Sequence, residues 1–421
     1  MPKTIIQEIP PSEIKSLVRH TIVSGKSGSG KSNACEWILT NYFEIGKTKS
    51  IDVYDDGRHE NMLYGLEEND NVMLKKTYEL TGKYSKSYPN QIIVIGGKGI
   101  EYRRKLPSNL TLMSFDYEDL NIDDLFYLLG RSEKLEGFLA SVSNIYGDNI
   151  NMKQLYDLLT KGKIDGIKPN KKPYIPDAIR GMVIRNIRRW LNSGMFSETL
   201  PKINFKTIMS DLSCITSFST FLLDEEESKR TAYGLILKKI YEIKKKREVK
   251  NRINVYIREM SEFFEPNWDL SKKYILKILR QGRDIGVDLL TDMQRVFDIP
   301  SKYRRQFGLI IQLRTDFEDS EKLLSFQSGI PIRYLRKSST WGAGEGILLT
   351  GATWEYPIIF PPCHHCHKKE YYDVLKMLGD KFGWVTYSTK QIEAMLNFDL
   401  QDKEFEEENL DENYNQRYDE F

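Results

Sequence analysis

Eight residues near the start of the chain, Gly25-Lys26-Ser27-Gly28-Ser29-Gly30-Lys31-Ser32, carry the spacing G-x-x-x-x-G-K-[ST] in full. Glycines in such a turn let successive backbone N–H groups converge on one anion, and a helix starting at its far end adds the partial positive charge of its N-terminus. A lysine and a hydroxyl closing the turn suit the outer phosphates and metal of a nucleoside triphosphate. The motif therefore predicts a phosphate cradle from Gly25 to Asn33. Within it Lys31 reaches the β- and γ-phosphates and Ser32 ligates Mg²⁺. Hydrolysis further needs a carboxylate at the end of a neighbouring apolar strand. Ile253-Asn254-Val255-Tyr256-Ile257-Arg258-Glu259 supplies one, with Glu259 as the water-activating group and a second metal-directed candidate. Arg258 stands where the metal-directed Asp is expected. A third apolar run, Val287 to Met293, leads into Gln294, whose amide can contact a γ-phosphate or the attacking water.

These groups meet only if the strands that carry them are neighbours. Thr21–Ser24 is short and β-branched and leads into the turn, and residues 33 to 42 follow without Gly or Pro, so the segment reads as strand, turn, helix. Further strands are expected at 50–54, 92–95, 110–115, 208–212, 254–257, 287–291, 309–313 and 347–349, with 357–360 as a hairpin partner. Helices are expected over about 225–246 and 271–281. Strands interleaved with helices predict an α/β protein with a mainly parallel sheet.

The order of phosphate turn, acidic strand and Gln strand resembles the HerA/FtsK superfamily of ring-forming DNA motors. His20-Thr21-Ile22-Val23-Ser24, Asp55-Asp56-Gly57, Asp211-Leu212-Ser213, the run from Arg280 to Gly286, and Gly344-Glu345-Gly346-Ile347 add to the resemblance. It covers most of the chain outside a helical insertion and the tail. It implies a RecA-like P-loop core, a homohexamer with Mg-ATP at subunit interfaces, and DNA threaded through the pore. Members act in chromosome pumping, end resection, conjugation and viral genome packaging. It also implies an arginine reaching into a neighbour's site, for which Arg314 and Arg283 are the candidates. Another reading is an ATP-binding switch or assembly protein that turns over slowly because of Arg258. The Asn-Lys-x-Asp sequence of GTPases and the Leu-Ser-Gly-Gly-Gln sequence of transporter ATPases are absent.

The expected division is a P-loop half of the core over 1–116, a helical insertion over 117–205, the second half of the core over 206–360, an α/β segment over 361–400 and an acidic disordered tail over 401–421. That tail holds nine acidic and two basic residues, which leaves 60 basic against 51 acidic side chains in the body. Such a surplus attracts polyanions, and the tail offers a site for a protein partner. Arg185, Arg188 and Arg189 on one helix, and Lys244-Lys245-Lys246-Arg247 on another, are candidate DNA surfaces. Cys363-His364-His365-Cys366-His367 places half of a tetrahedral Zn²⁺ set in five residues. Otherwise the four cysteines suit a reducing compartment. Residues 1–11 lack the apolar core of a secretory signal and no apolar run reaches the roughly 18 residues of a membrane span, so a cytoplasmic protein is expected.

Overall fold

A computed structural model describes residues 20–44, 46–54, 88–96, 110–129, 132–147, 150–164, 177–220, 222–223, 225–264, 269–316, 318, 335–350 and 353–359. One ten-stranded sheet organises them. In chain order the strands are β1 (Thr21–Ser24), β2 (Thr48–Tyr54), β3 (Asn90–Ile95), β4 (Leu110–Met113), β5 (Ile215–Ser219), β6 (Arg252–Ile257), β7 (Val287–Met293), β8 (Leu309–Leu313), β9 (Glu345–Thr350) and β10 (Thr353–Ile359). They lie side by side as β4-β3-β5-β2-β6-β7-β1-β8-β9-β10. The first eight of that order run parallel; β9 and β10 fold back antiparallel on the β8 edge. This is the α/β class and mainly parallel sheet that the sequence predicts, and residues 357–359 of the expected hairpin partner belong to β10, which pairs antiparallel with β9.

Alternate residues of each central strand feed opposite faces. Ile22, Val255, Leu289 and Ile310 enter the larger core, which also holds Leu235, Ile236, Ile240, Ile275 and Ile278 from the paired helices α7 (Glu226–Lys245) and α8 (Asp269–Ile285). Val23, Tyr256, Leu290 and Ile311 enter the other, against Ala34, Cys35, Trp37, Ile38 and Leu39 of α1 (Lys31–Glu44). Strands buried on both faces explain why they read as continuous apolar runs.

Between β4 and β5 the chain forms α2 (Ile122–Leu128), α3 (Glu133–Tyr146), α4 (Met152–Lys161), α5 (Asp177–Asn192) and α6 (Phe205–Ser210). The excursion returns to where it left, since Ser114 N–H donates to Pro201 O and Phe115 N–H to Met195 O. Here one expectation is corrected. Residues 208–212 are not a strand, because Asn204 caps α6 by accepting from Thr207 N–H. Asp211 then turns the chain by accepting from the Ser213 amide and hydroxyl, and the strand begins only at Ile215.

Candidate active site

All eight parallel strands point their C-terminal ends at one edge of the sheet, the edge where open α/β sheets bind ligands. At its centre Ser24 is level with Met293 of β7 and Gln312 of β8, while Ile257 of β6 is level with Thr291. Within two residues of the ends of these four adjacent strands therefore come Glu259, Gln294, the turn starting at Gly25, and Arg314. The sequence predicted each of these separately, and the strand order brings them to one edge.

Two glycines set the turn's shape by absence of a side chain. A Cβ on Gly25 would sit 2.6 Å from Ser29 Oγ and 3.0 Å from Arg314 O. Gly30 has φ +92°, and its Cβ would meet Gly344 N at 2.9 Å. The turn is tied on three sides. Gly25 N–H donates to Met293 O at 3.2 Å, Lys26 N–H to Arg314 O at 2.9 Å, and Gly344 N–H to Ser29 O at 2.8 Å. The Gln312 amide grips the strand that feeds it, accepting from Ser24 Oγ at 2.7 Å and donating to Ser24 O at 3.4 Å. Helix α1 opens from the turn with no acidic residue in its first turn, which leaves its positive end for an outside anion. Lys31 is buried, with Nζ 3.4 Å from Lys26 O. Ser32 and Asn33 are half-buried beside it, and the buried Ser29 hydroxyl lacks a hydrogen-bond partner. Converging amides, a helix end, an ammonium and hydroxyls form a donor set that fits a triphosphate with its Mg²⁺.

Glu259 leaves the end of β6 with φ +41°, one of two non-glycine residues in the left-handed region among the described residues. Burial, reinforced by the Asp292 carboxylate, pushes its carboxyl up to about 7, while the Lys31 ammonium opposes the rise. A half-buried carboxyl near neutrality, its rise opposed by a lysine ammonium, has the properties of a general base. Arg258 turns the other way. Its Nη2 is 3.7 Å from Glu36 Oε1 of α1 and 3.5 Å from Asp52 Oδ2 of β2, with all three side chains buried, and its guanidinium stacks 4.9 Å from the Tyr256 ring centroid. Burial raises Asp52 to about 6, with Arg258 opposing and Glu36 and Asp292 adding to the rise. Asp292 and Gln312 escaped the sequence reading, because their partners lie on neighbouring strands and no local spacing marks them.

Gln294 is exposed at the end of β7. Arg314 donates through Nη2 to Gly28 O of its own chain at 2.8 Å. Arg283 closes α8 just before β7, at the opposite edge of the sheet from the turn. Of the two basic stretches, Lys244 is buried and donates to Val249 O and Asn251 O, so it holds a loop rather than facing outward. Arg189 pairs with Glu225 and Glu227, Arg188 donates to the Tyr156 hydroxyl, and Arg185 is exposed. Cys363–His367, Asp55–Gly57 and the acidic tail lie outside the described residues. Among the described residues no group of three or more His, Cys, Asp or Glu could hold a metal ion, and no helix is long and apolar enough to cross a membrane.

No family model and no curated protein sequence matches the chain. Solved structures do. VirB4 of Thermoanaerobacter pseudethanolicus matches with TM-score 0.52 at 12% identity, over 81% of this chain and 89% of that one. The plasmid coupling protein TrwB in complex with the ATP analogue ADPNP matches with TM-score 0.51 at 13% identity, over 83% and 87%. TrwB in complex with ADP and Mg²⁺ gives 0.51 at 12%, over 85% and 88%. The similarity is one of fold, and it is the RecA-like P-loop fold that the resemblance to the HerA/FtsK superfamily implied.

Proposed function

We propose that the chain is an ATPase that couples hydrolysis of Mg-ATP to movement of DNA. The carrying observation is that β6, β7, β1 and β8 are neighbours, so that Glu259, Gln294 and the turn from Gly25 to Ser32 share one edge. In this reading the turn and Lys31 bind and orient the phosphates. Ser32, with Glu259 nearby, would hold Mg²⁺, which when bound neutralises charge developing on the phosphates. Glu259 accepts the proton of the attacking water through a carboxyl already tuned to about 7. Gln294 senses the γ-phosphate from the adjacent strand. Arg314 shapes the turn from within its own chain through the Gly28 carbonyl.

DNA is the proposed partner, supported by the basic surplus of the body. The proposed assembly is a cytoplasmic homohexameric ring with an arginine of each neighbour completing the site, and the acidic tail contacting another protein. One observation favours a second reading, an ATP-binding switch with slow turnover: Arg258 is committed to Glu36 and Asp52, so its position offers no carboxylate to the metal. Phosphate release from Mg-ATP, measured with and without duplex and single-stranded DNA, separates the two. The motor reading expects stimulation of about tenfold or more by DNA. Tight ATP binding without turnover on any DNA selects the switch.

A further inference from the structure

The residue before Glu259 is lost to the core, yet Glu259 is held in a backbone conformation that an L-residue adopts only when its surroundings impose it. A group in contact with that backbone is on the next strand. Asp292, 4% exposed on β7, accepts the Glu259 amide N–H on Oδ1 at 3.1 Å. Strand β7 lies between β6 and β1, and Asp292 is level with Val23, two residues before the turn. It is also two residues before Gln294. The carboxylate thus sits among the three groups whose relative placement the reaction requires.

We propose that Asp292 is a positioning residue for hydrolysis: by holding the Glu259 amide across the β6–β7 junction it fixes the left-handed backbone from which the water-activating side chain departs. It supplies from the neighbouring strand a carboxylate at the junction where Arg258, bound to Glu36 and Asp52, contributes none. A charge-assisted hydrogen bond to a backbone amide is among the stronger such contacts, and loss of sub-ångström placement of a catalytic base costs turnover more than binding. The inference rests on Glu259 being the base in the proposed ATPase.

The test compares Asp292→Ala with Asp292→Asn, which keeps an oxygen acceptor. Asp292→Val, which fills the buried site, replaces the alanine variant if that one does not fold. Steady-state hydrolysis of Mg-ATP is measured together with amide hydrogen exchange at Glu259. Expected are a fall in kcat of about 10- to 100-fold for Asp292→Ala with KM changed less than about threefold, and kcat for Asp292→Asn within about fivefold of wild type. Glu259 amide protection should be lost in the first variant and kept in the second. Unchanged kcat in both variants, equal loss in both, or a change confined to KM overturns the proposal. A wild-type chain without turnover sinks the ATPase reading instead, and the Asp292 contact is then decided by exchange alone, where equal protection in both variants overturns it.

Discussion

Arg258 Nη2 stands 3.7 Å from Oε1 of Glu36, so the end of β6 is ion-paired to the helix whose N-terminus forms the phosphate cradle. With Asp52 Oδ2 at 3.5 Å from the same nitrogen, the guanidinium is the cation beside two buried carboxylates. Sequence alone suggests that Arg258→Asp should restore a metal ligand and raise the rate. The pairing predicts otherwise. The exchange removes the cation and adds a third carboxylate, and breaking a buried pair from one side costs about 3–5 kcal/mol. Urea denaturation should show at least that loss, with no gain in phosphate release.

The same pocket gives a pH signature. Asp52 titrates near 6 when folded, against an ordinary value of 3.8, with burial as the main cause and Arg258, Glu36 and Asp292 as the facing charges. A carboxyl whose folded value is raised binds its proton more tightly in the folded state. Its contribution to stability is full below the unfolded value and is lost as pH rises through the folded one. Relative to wild type, Asp52→Asn should gain about 2 kcal/mol between pH 4 and pH 7. Denaturation curves at those two pH values give the difference; a constant offset would show that Asp52 keeps an ordinary value.

The cradle's shape makes its own prediction. Gly30→Ala must relieve a left-handed φ and push Gly344 off the turn, so affinity for ATP should fall by about tenfold or more. Titration calorimetry with a non-hydrolysable analogue reads this directly, and unchanged affinity would mean that the turn does not hold the phosphates as described.

Arg314 is separable by subunit mixing. Because its contact is to Gly28 of its own chain, Arg314→Ala should weaken ATP binding by about three- to tenfold, and mixing it with Lys31→Ala subunits should not bring that affinity back. Recovery of wild-type affinity in the mixture would place the arginine in a neighbour's site.

Much of this site was legible in sequence because its parts are local. The cradle is one contiguous turn, and Glu259 and Gln294 each end an apolar run. What sequence could not display is register. Asp292 matters because β7 pairs with β6 so that its carboxylate reaches the Glu259 amide, and Gln312 because β8 is level with Ser24. Lys244 reads as a surface cation in a basic run, yet the return of the chain at Val249 and Asn251 buries its ammonium against carbonyls. The strand expected at 208–212 failed for a comparable reason. Ile208 and Met209 are apolar because they face the core from a short helix, and the capping by Asn204 outweighs their β-like appearance.

The most direct test of the account is phosphate release from Mg-ATP by wild type and Glu259→Gln side by side, with analogue binding measured on both. The arrangement predicts turnover by wild type whose kcat/KM falls as pH drops through about 7, where the Glu259 carboxyl takes up its proton. It predicts a loss of about a hundredfold or more in the variant, with analogue affinity changed far less than turnover. A Glu259→Gln chain that hydrolyses ATP as fast as wild type would contradict it.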